Sequence, residues 1–438
     1  MHTRSLAVST FATLLSSLAC AAGDSTTPDP GCESYQSWQI QSSVKSNTVG
    51  NRNNAYPEAN ATYWATVLQP PAGAGMFVRG RYPYARYMAF QLYDAARNVI
   101  DAINDQSIVP DPGQNNPFQT GTEAGAYTIQ IVFGQKPPQP APNTIYTNLV
   151  PDAILIYRIY YSTNSTDLTG GTVDPVLPEV YSAGSLLSAC PVRPIIQPED
   201  NSVWGRLDNA DFSGVSPPSL LVRATNPPIW LLSVTNPYTP YYPSQDNSYM
   251  SAVVNRDFLN TPYSNELVVV RIKAPTFANT NGGEPPYLAT TTRQVRFWSI
   301  CTNEMMSTSV VRCVPDYQVP LRDGYGAVVI SDPSKKPSDQ VLAQHSAAWL
   351  PWGALFPGDS VYDIDDNVLD NSSGVYYQGL VIYRQTIPNP TWTQSFTAIG
   401  LLPRDQWKAA MGDYWPAIGY CRASEFTLHG AGCIAPRR

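Results

Sequence analysis

The sequence is poor in charge and nearly without histidine. Charged residues make up 14% of the 438 residues, and the chain has three histidines; about 25% charge is usual for a soluble protein. There is no H-E-x-x-H, G-x-S-x-G or Walker A motif, so nothing indicates a zinc protease, an α/β hydrolase or a P-loop NTPase. A histidine-rich metal site is excluded. A Ser-His-Asp triad would need His345 or His429, and no nucleophile is placed beside either by the sequence.

Positive charge is scarce as well. Lysine and arginine number 27 against 34 aspartates and glutamates, for a formal net charge of −7. Affinity for nucleic acid depends on clustered basic side chains that displace counterions. The composition therefore argues against a nucleic-acid partner.

Long apolar runs are absent too. After Arg4, residues 6–19 are apolar or small, and Ala19-Cys20-Ala21 offers a cleavage site. This run is too short to span a bilayer of about 30 Å. We therefore predict a signal peptide over residues 1–21 and a secreted protein, periplasmic or on the cell surface if bacterial. Lipidation of Cys20 is the alternative, which Ser17 three residues earlier disfavours.

No cysteine lies in a C-x-x-C pair, which removes support for zinc ribbons, thioredoxin-like sites and c-type haem. Six cysteines remain once the signal is removed, an even number in an oxidising compartment. They are Cys32, Cys190, Cys301, Cys313, Cys421 and Cys433. The short spacing favours Cys301 with Cys313 and Cys421 with Cys433, which leaves Cys32 with Cys190 by elimination. Fifteen pairings are open to six cysteines.

The chain does hold 41 prolines, 28 glycines and 27 tyrosines, a composition typical of short strands joined by ordered turns. We predict a mainly β protein with few short helices. Its two diverged antiparallel units, sandwich-like or jelly-roll-like, lie in tandem. Residues 94–103 fit a helix or a hairpin, and the hairpin is favoured. A short helix is expected over 403–411, ended by Gly412.

Five segments recur in the same order along the chain, which predicts an internal duplication. The pairs are 63–68 with 267–272, 86–90 with 296–300, 109–111 with 314–316, 125–129 with 324–329, and 155–158 with 381–384. The predicted organisation follows from these pairs. It is a signal peptide at 1–21, an N-terminal unit at 22–190 (copy about 63–161), a connecting segment at 191–225 and a C-terminal unit at 226–438 (copy about 266–385).

Residues present in both copies are best explained as scaffold, in which a strand arginine pairs with a carboxylate or binds backbone carbonyls. These pairs are Arg86 with Arg296, Asp111 with Asp316 and Arg158 with Arg384. Features of one copy only are better candidates for a specialised role. In the C-terminal copy they are His345, the Trp349/Trp352 turn and the acidic loop 363–370.

That acidic loop resembles the beginning of a calcium site, because Asp363, Asp365 and Asn367 alternate. Val368 stands where an EF-hand needs glycine, and Gly374 where it needs glutamate. We therefore expect a solvated loop and no cofactor, with calcium as the weaker alternative. Three N-x-S/T triplets, at Asn60, Asn164 and Asn371, would accept glycans in a eukaryotic source.

Several motifs of the C-terminal unit resemble an uncharacterised family of secreted proteins common in actinobacteria. They are 294–304 (QVRFWSICTNE), Cys313 with Asp316 and Gln318, 349–353 (WLPWG) and 382–384 (IYR). The resemblance covers about 226–421, and the N-terminal copy is more distantly similar to small β domains of periplasmic proteins. It implies a fold and secretion but no activity. Gln385 departs from the pattern, where a histidine usually follows the arginine.

These observations predict a binding protein for an apolar or aromatic small molecule or a glycan. The alternative is a cofactor-independent secreted enzyme, an isomerase, cyclase or lyase, in which one or two Asp/Arg groups of a shaped pocket do the chemistry. The candidate ligand residues are Trp349, Trp352, His345, Arg296, Asp316 and Arg384. We expect the ligand to contact Trp352 or its neighbours. The sequence does not specify the oligomeric state.

Overall fold

Strands dominate the structure, a computed structural model, which confirms the prediction of a mainly β protein with few short helices. It describes residues 39–42, 56–68, 75–120, 124–150, 153–162, 179–182, 185–186, 227–233, 242–255, 267–287, 292–304, 310–351 and 378–434. Cys32, Cys190, Trp352, the acidic loop and the predicted signal peptide lie outside these ranges.

The N-terminal half contains two five-stranded sheets. Sheet I has the order β1-β2-β8-β4-β5 and sheet II the order β10-β9-β3-β6-β7. The strands are β1 (Gln39–Ser42), β2 (Ala61–Leu68), β3 (Met76–Arg81), β4 (Ala85–Tyr93), β5 (Val99–Asn104), β6 (Ala126–Val132), β7 (Thr144–Tyr146), β8 (Ala153–Ser162), β9 (Glu179–Ser182) and β10 (Ser185–Leu186).

The C-terminal half contains sheet III, with the order β11-β12-β18-β14-β15, and sheet IV, with the order β17-β16-β13-β19. The strands are β11 (Trp230–Ser233), β12 (Asn247–Asn255), β13 (Leu267–Lys273), β14 (Val295–Glu304), β15 (Val310–Pro315), β16 (Tyr325–Ser331), β17 (Ala347–Pro351), β18 (Gln378–Pro388) and β19 (Ala417–Cys421).

Short helices join or cover these strands. They are α1 (Pro117–Thr120), α2 (Asp339–Gln344), α3 (Phe396–Ile399), α4 (Trp407–Met411) and α5 (Ala423–His429). The predicted C-terminal helix is present as a 3₁₀ turn, Arg404–Gln406, followed by α4, and Gly412 after it has a positive φ of 55°. No described helix is long and apolar enough to cross a membrane.

The sheets pack as successive layers in the order II, I, III, IV. One core is shared by sheets I and II and a second by sheets III and IV, while α2 and α5 cover the far face of sheet IV. Strand β4 is buried at every position, whereas β6 of the outer sheet II alternates between buried and half-buried positions. A strand covered on both faces needs side chains suited to burial at consecutive positions, which accounts for the Tyr-Met-Ala-Phe run in β4.

The two halves have the same strand order. Each strand of the C-terminal half has a number ten higher than its counterpart in the N-terminal half. Sheet III therefore has the strand order of sheet I, and sheet IV, read as β19-β13-β16-β17, has the order β9-β3-β6-β7 found in sheet II. In each half one pair is parallel, β6 with β7 and β16 with β17. Such agreement supports the predicted duplication, which remains an inference.

Backbone conformation supports the same alignment. Tyr56 and Tyr242, before β2 and β12, have φ angles of 51° and 53°. Tyr161 in β8 and Ile387 in β18 have 47° and 43°. Non-glycine residues rarely adopt positive φ, so its recurrence at matched places indicates that the two halves share this backbone conformation.

The predicted correspondence of 63–68 with 267–272 is wrong. The first segment lies in β2, between β1 and β8, and the strand in that place in sheet III is β12. The segment 267–272 lies in β13, the counterpart of β3. Buried strands of both sheets are equally rich in apolar residues, so composition alone could not tell them apart.

Other local predictions are confirmed. Residues 94–98 form the turn of the hairpin between β4 and β5, so the helix considered there is not formed. Cys301 and Cys313 are directly opposite in β14 and β15 and are bonded. Cys421 is bonded to Cys433.

Candidate functional site

Three buried ion pairs join the two halves. Every charged side chain in them is at most 3% exposed. The pairs are Arg86 with Asp316 (2.8 Å), Arg296 with Asp105 (2.8 Å) and Arg384 with Glu58. We call the contact between sheets I and III, together with the loops 56–60 and 242–246, the seam.

Two of these pairs are reciprocal. Arg86 and Arg296 occupy the same place near the beginning of β4 and β14, and each reaches an aspartate that follows β5 or β15 of the other half. Asp105 also accepts the backbone N–H of Met88 at 2.7 Å, as Asp316 accepts that of Trp298 at 3.3 Å. Each half therefore contributes one arginine and one aspartate at equivalent places, and each arginine pairs with the aspartate of the other half.

Asp111 was the predicted counterpart of Asp316 in the other copy, and this prediction is wrong. Asp111 accepts a hydrogen bond from Thr128 within its own half, and Asp105 holds the place of Asp316. The Val-Pro-Asp matches at 109–111 and 314–316 misled the alignment, because the turn after β5 is longer than the turn after β15.

The third pair lies beside a disulfide. Glu58 receives hydrogen bonds from Arg384 and Ser299, and its Oε2 lies 3.4 Å from Sγ of Cys301. Glu58, Cys301 and Cys313 form the one cluster of potential metal ligands among the described residues. Both sulfurs are committed to the disulfide, and metal coordination requires thiolates. The cluster is therefore not a metal site.

Burial raises the pKa of several ionisable side chains in the seam. It raises the pKa of Asp105 and of Asp316 from 3.8 to about 6, although the paired arginine opposes the shift in each case. Burial also raises the pKa of Tyr63, Tyr87 and Tyr93 above the usual value of 10.0. These phenols are neutral at physiological pH and act as hydrogen-bonding groups.

A second arginine, Arg158 in β8, lies at the place of Arg384 in β18. Arg158 is paired in register with Ala89 and Tyr63, and Arg384 with Ser299 and Tyr249. The guanidinium carbon is 5.5 Å from the Tyr63 ring centre in one half and 5.3 Å from that of Tyr249 in the other. Arg158 donates to the Tyr93 hydroxyl, where Arg384 meets a carboxylate.

Half-buried tyrosines close one edge of the seam. The rings of Tyr161 and Tyr317, one from each half, meet edge to face with centres 5.0 Å apart, and their hydroxyls are hydrogen-bonded. The exposed amides of Asn281 and Gln318 donate to these hydroxyls. We call these four residues the seam rim.

The predicted ligand residues do not converge. Arg296, Asp316 and Arg384 lie in the seam, and each is bound to a different partner from the other half. Trp349 and His345 lie at sheet IV. Trp352 and the calcium candidates Asp363, Asp365 and Asn367 are outside the described residues.

Both described candidates at sheet IV have structural contacts. The Trp349 indole N–H donates to Ser331 Oγ at 2.9 Å, and Lys336 Nζ lies 5.3 Å from its ring centre. His345 Nε2 is 2.9 Å from the carbonyl oxygen of Thr427, and its ring packs against Phe426. The His345 contacts join the end of α2 to α5, and the Trp349 hydrogen bond joins β17 to β16.

Sequence reasoning missed Glu58, Asp105 and Tyr161. The signal for Glu58 was present as a second repeat, Tyr56-Pro57 before Tyr63 and Tyr242-Pro243 before Tyr249, with identical spacing. Asp105 gives no such signal, because its partner lies in the other half and is far away in sequence.

No protein family matches this sequence, and no curated protein does so. The chain is similar to the crystal structure of an uncharacterized protein from Burkholderia cenocepacia, with a TM-score of 0.46, 11% identity, and coverage of 85% of this chain and 79% of that one. It is also similar to the VPA0106 protein from Vibrio parahaemolyticus, with a TM-score of 0.39, 10% identity, and coverage of 84% and 92%. Neither similarity carries an argument about function, and the predicted resemblance to a secreted family stays a prediction.

Proposed function

We propose that this protein is a secreted, noncatalytic binding protein whose ligand is a neutral glycan. The observation that carries the proposal is the seam rim, where two half-buried tyrosines and two exposed amides are grouped. Aromatic rings supply a flat apolar surface with a polar edge. Amides supply both donors and acceptors. That combination suits the alternating apolar faces and hydroxyls of a sugar.

The neutral character of the ligand follows from the charges nearby. Arg86 and Asp316, which adjoin Tyr161 and Tyr317, neutralise one another at 2.8 Å. Further out, Glu284 is paired with Arg293 at 2.9 Å. The rim thus presents hydrogen-bonding groups beside charges that are already paired, which favours a polar uncharged ligand.

The enzyme alternative has less support. A general acid or base needs a carboxylate free to exchange a proton with a substrate. Asp105, Asp316 and Glu58 are each buried and bound by an arginine. These three groups hold the halves together, which is a scaffold role.

Secretion belongs to the same proposal. The predicted signal peptide at 1–21 and the even number of remaining cysteines support it. The two disulfides fit an oxidising compartment. A glycan ligand would be met there.

The test is a glycan array followed by titration of the strongest hit with Tyr317→Phe. Loss of the hydroxyl should weaken binding about fivefold, because one hydrogen bond is worth about 1 kcal/mol. The matched control is Tyr414→Phe, since Tyr414 is also half-buried and accepts from a glutamine amide, that of Gln294, at 2.8 Å. Equal affinity of both variants for the glycan, or no binding to the array, would overturn the proposal.

A further inference from the structure

Two tyrosines, one from each half, are in direct contact at the seam rim. Tyr161 lies in β8, and Tyr317, which is 156 positions later in the sequence, follows β15. Their hydroxyls are hydrogen-bonded, and their ring centres are 5.0 Å apart with an interplanar angle of 61°. Both side chains are half-buried, so solvent reaches the pair.

The repeated scaffold does not require a tyrosine at either place. Ile387 in β18 occupies the place of Tyr161, and both have a positive φ. Gln106 occupies the place of Tyr317, since each follows the aspartate of a reciprocal ion pair. The equivalent places thus hold an aliphatic side chain and an amide, which marks the tyrosine pair as a feature of one edge of the seam.

Neither described disulfide joins the two halves, because both lie within the C-terminal half. The contacts that hold the seam together are ion pairs, hydrogen bonds and packed rings. A covalent bond between Tyr161 and Tyr317 would therefore link elements that no described disulfide links. A crosslink that closes a long loop restricts the unfolded chain strongly.

We propose that Tyr161 and Tyr317 form an oxidative crosslinking site, at which a dityrosine bond joins the two halves. The oxidant is hydrogen peroxide, used by a haem peroxidase. Each phenol loses one electron and its hydroxyl proton, and the two radicals join through ring carbons next to the hydroxyls. Each of these carbons then loses its hydrogen as a proton, and each phenolic oxygen regains one. The peroxide takes up the two electrons and two protons and leaves as two water molecules.

The crosslink does not depend on a glycan ligand. The new bond joins ring carbons and leaves both hydroxyls present as hydrogen-bonding groups. The glycan titration uses protein that has not been oxidised, and the crosslink is measured without a glycan. Each proposal can therefore fail while the other holds.

Peptide mapping after oxidation tests the site. The dilute wild-type protein is treated with hydrogen peroxide and a haem peroxidase, and the single-chain fraction is reduced, digested and analysed by mass spectrometry. We expect one linked pair of peptides that contains Tyr161 and Tyr317 and is lighter by two hydrogens than the two free peptides. The crosslinked chain should also unfold at a higher urea concentration. Recovery of both tyrosines in unlinked peptides would overturn the proposal.

Three variants test the contribution of each hydroxyl. Tyr161→Phe and Tyr317→Phe should each abolish dityrosine fluorescence in the single-chain fraction, because phenylalanine has no hydroxyl proton to lose. The matched control is Tyr84→Phe, which removes a tyrosine that is 39% exposed and lies outside the seam rim, and it should keep the crosslink. Fluorescence that persists in Tyr317→Phe would contradict the proposal.

A buried pair of tyrosines gives a control within the wild-type protein. The rings of Tyr63 and Tyr160 also meet edge to face, with centres 6.1 Å apart and hydroxyls 3.4 Å apart. These side chains are 8% and 2% exposed, so water is not available to take up a phenolic proton. We expect the map to recover both in unlinked peptides. A link at this pair in place of the link between Tyr161 and Tyr317 would overturn the proposal.

Discussion

At the scale of single residues, the seam shows how buried charges are tolerated in a protein with few charges. Arg86 reaches Asp316, donates to Thr280 Oγ1 at 2.7 Å and lies 4.9 Å from the ring centre of Phe277. Desolvation of two ions costs several kcal/mol, and this cost is recovered only with good geometry and further hydrogen bonds. Removal of one member is therefore far worse than removal of both.

We predict that Arg86→Leu lowers the free energy of unfolding by about 3–5 kcal/mol, and that Arg86→Leu with Asp316→Leu costs less than the sum of the single changes. Urea unfolding measures each value. Arg293→Leu is the control, because its pair with Glu284 is 31% and 37% exposed and should be worth less than about 1 kcal/mol. Additive losses at positions 86 and 316 would show that the pair is not coupled.

At the scale of elements, each half repeats one strand order, and the described part of the C-terminal half contains two disulfides. Cys301–Cys313 joins neighbouring strands at the edge of sheet III. Cys421–Cys433 ties the end of β19 to the turn after α5. A crosslink of this span restricts the unfolded chain, which stabilises the folded one.

We predict that Cys301→Ala with Cys313→Ala lowers the free energy of unfolding by about 2–4 kcal/mol. The change also opens a space beside Glu58, whose Oε2 lies 3.4 Å from Cys301. Unfolding in urea measures the loss, and a peptide map of the wild-type protein should recover Cys301 linked to Cys313. A peptide that joins either of them to Cys421 or Cys433 would contradict the pairing.

At the scale of the whole molecule, two matched halves are joined through a seam whose buried aspartates have raised pKa values. Burial raises the pKa of Asp105 and Asp316 from 3.8 to about 6 in the folded state. Between these values the folded protein binds more protons than the unfolded chain, so the contribution to stability is present below about pH 4 and is lost as pH rises through 6.

We predict that the free energy of unfolding contributed by these two aspartates falls between pH 4 and 6 by about 1–3 kcal/mol each. The measurement is urea unfolding across pH 4–7 for the wild-type protein and for Asp105→Asn with Asp316→Asn. The difference between the two curves should change in this window and level off above it. Parallel curves would mean that these carboxylates keep their ordinary pKa.

Much of the architecture could be read from local sequence. Strand segments, the hairpin at 94–98, the helix before Gly412 and two disulfides follow from periodicity, turn residues and short spacing, which act between residues that are near in the chain. The role of Arg86 and Arg296 as shared scaffold also follows from the repeat, because an arginine kept at the same place in two copies has the same structural task.

The tertiary structure alone decided which charges meet. Arg86 and Asp316 are far apart in the chain, as are Arg296 and Asp105, and the nearest sequence match pointed instead to Asp111. An ion pair carries no local periodicity, and only the packing of sheet I on sheet III brings these groups together. The sequence predicts a mainly β protein with a repeated strand pattern, and only the packing of sheet I on sheet III brings the charges of the seam together, since a buried charge without a partner is unfavourable.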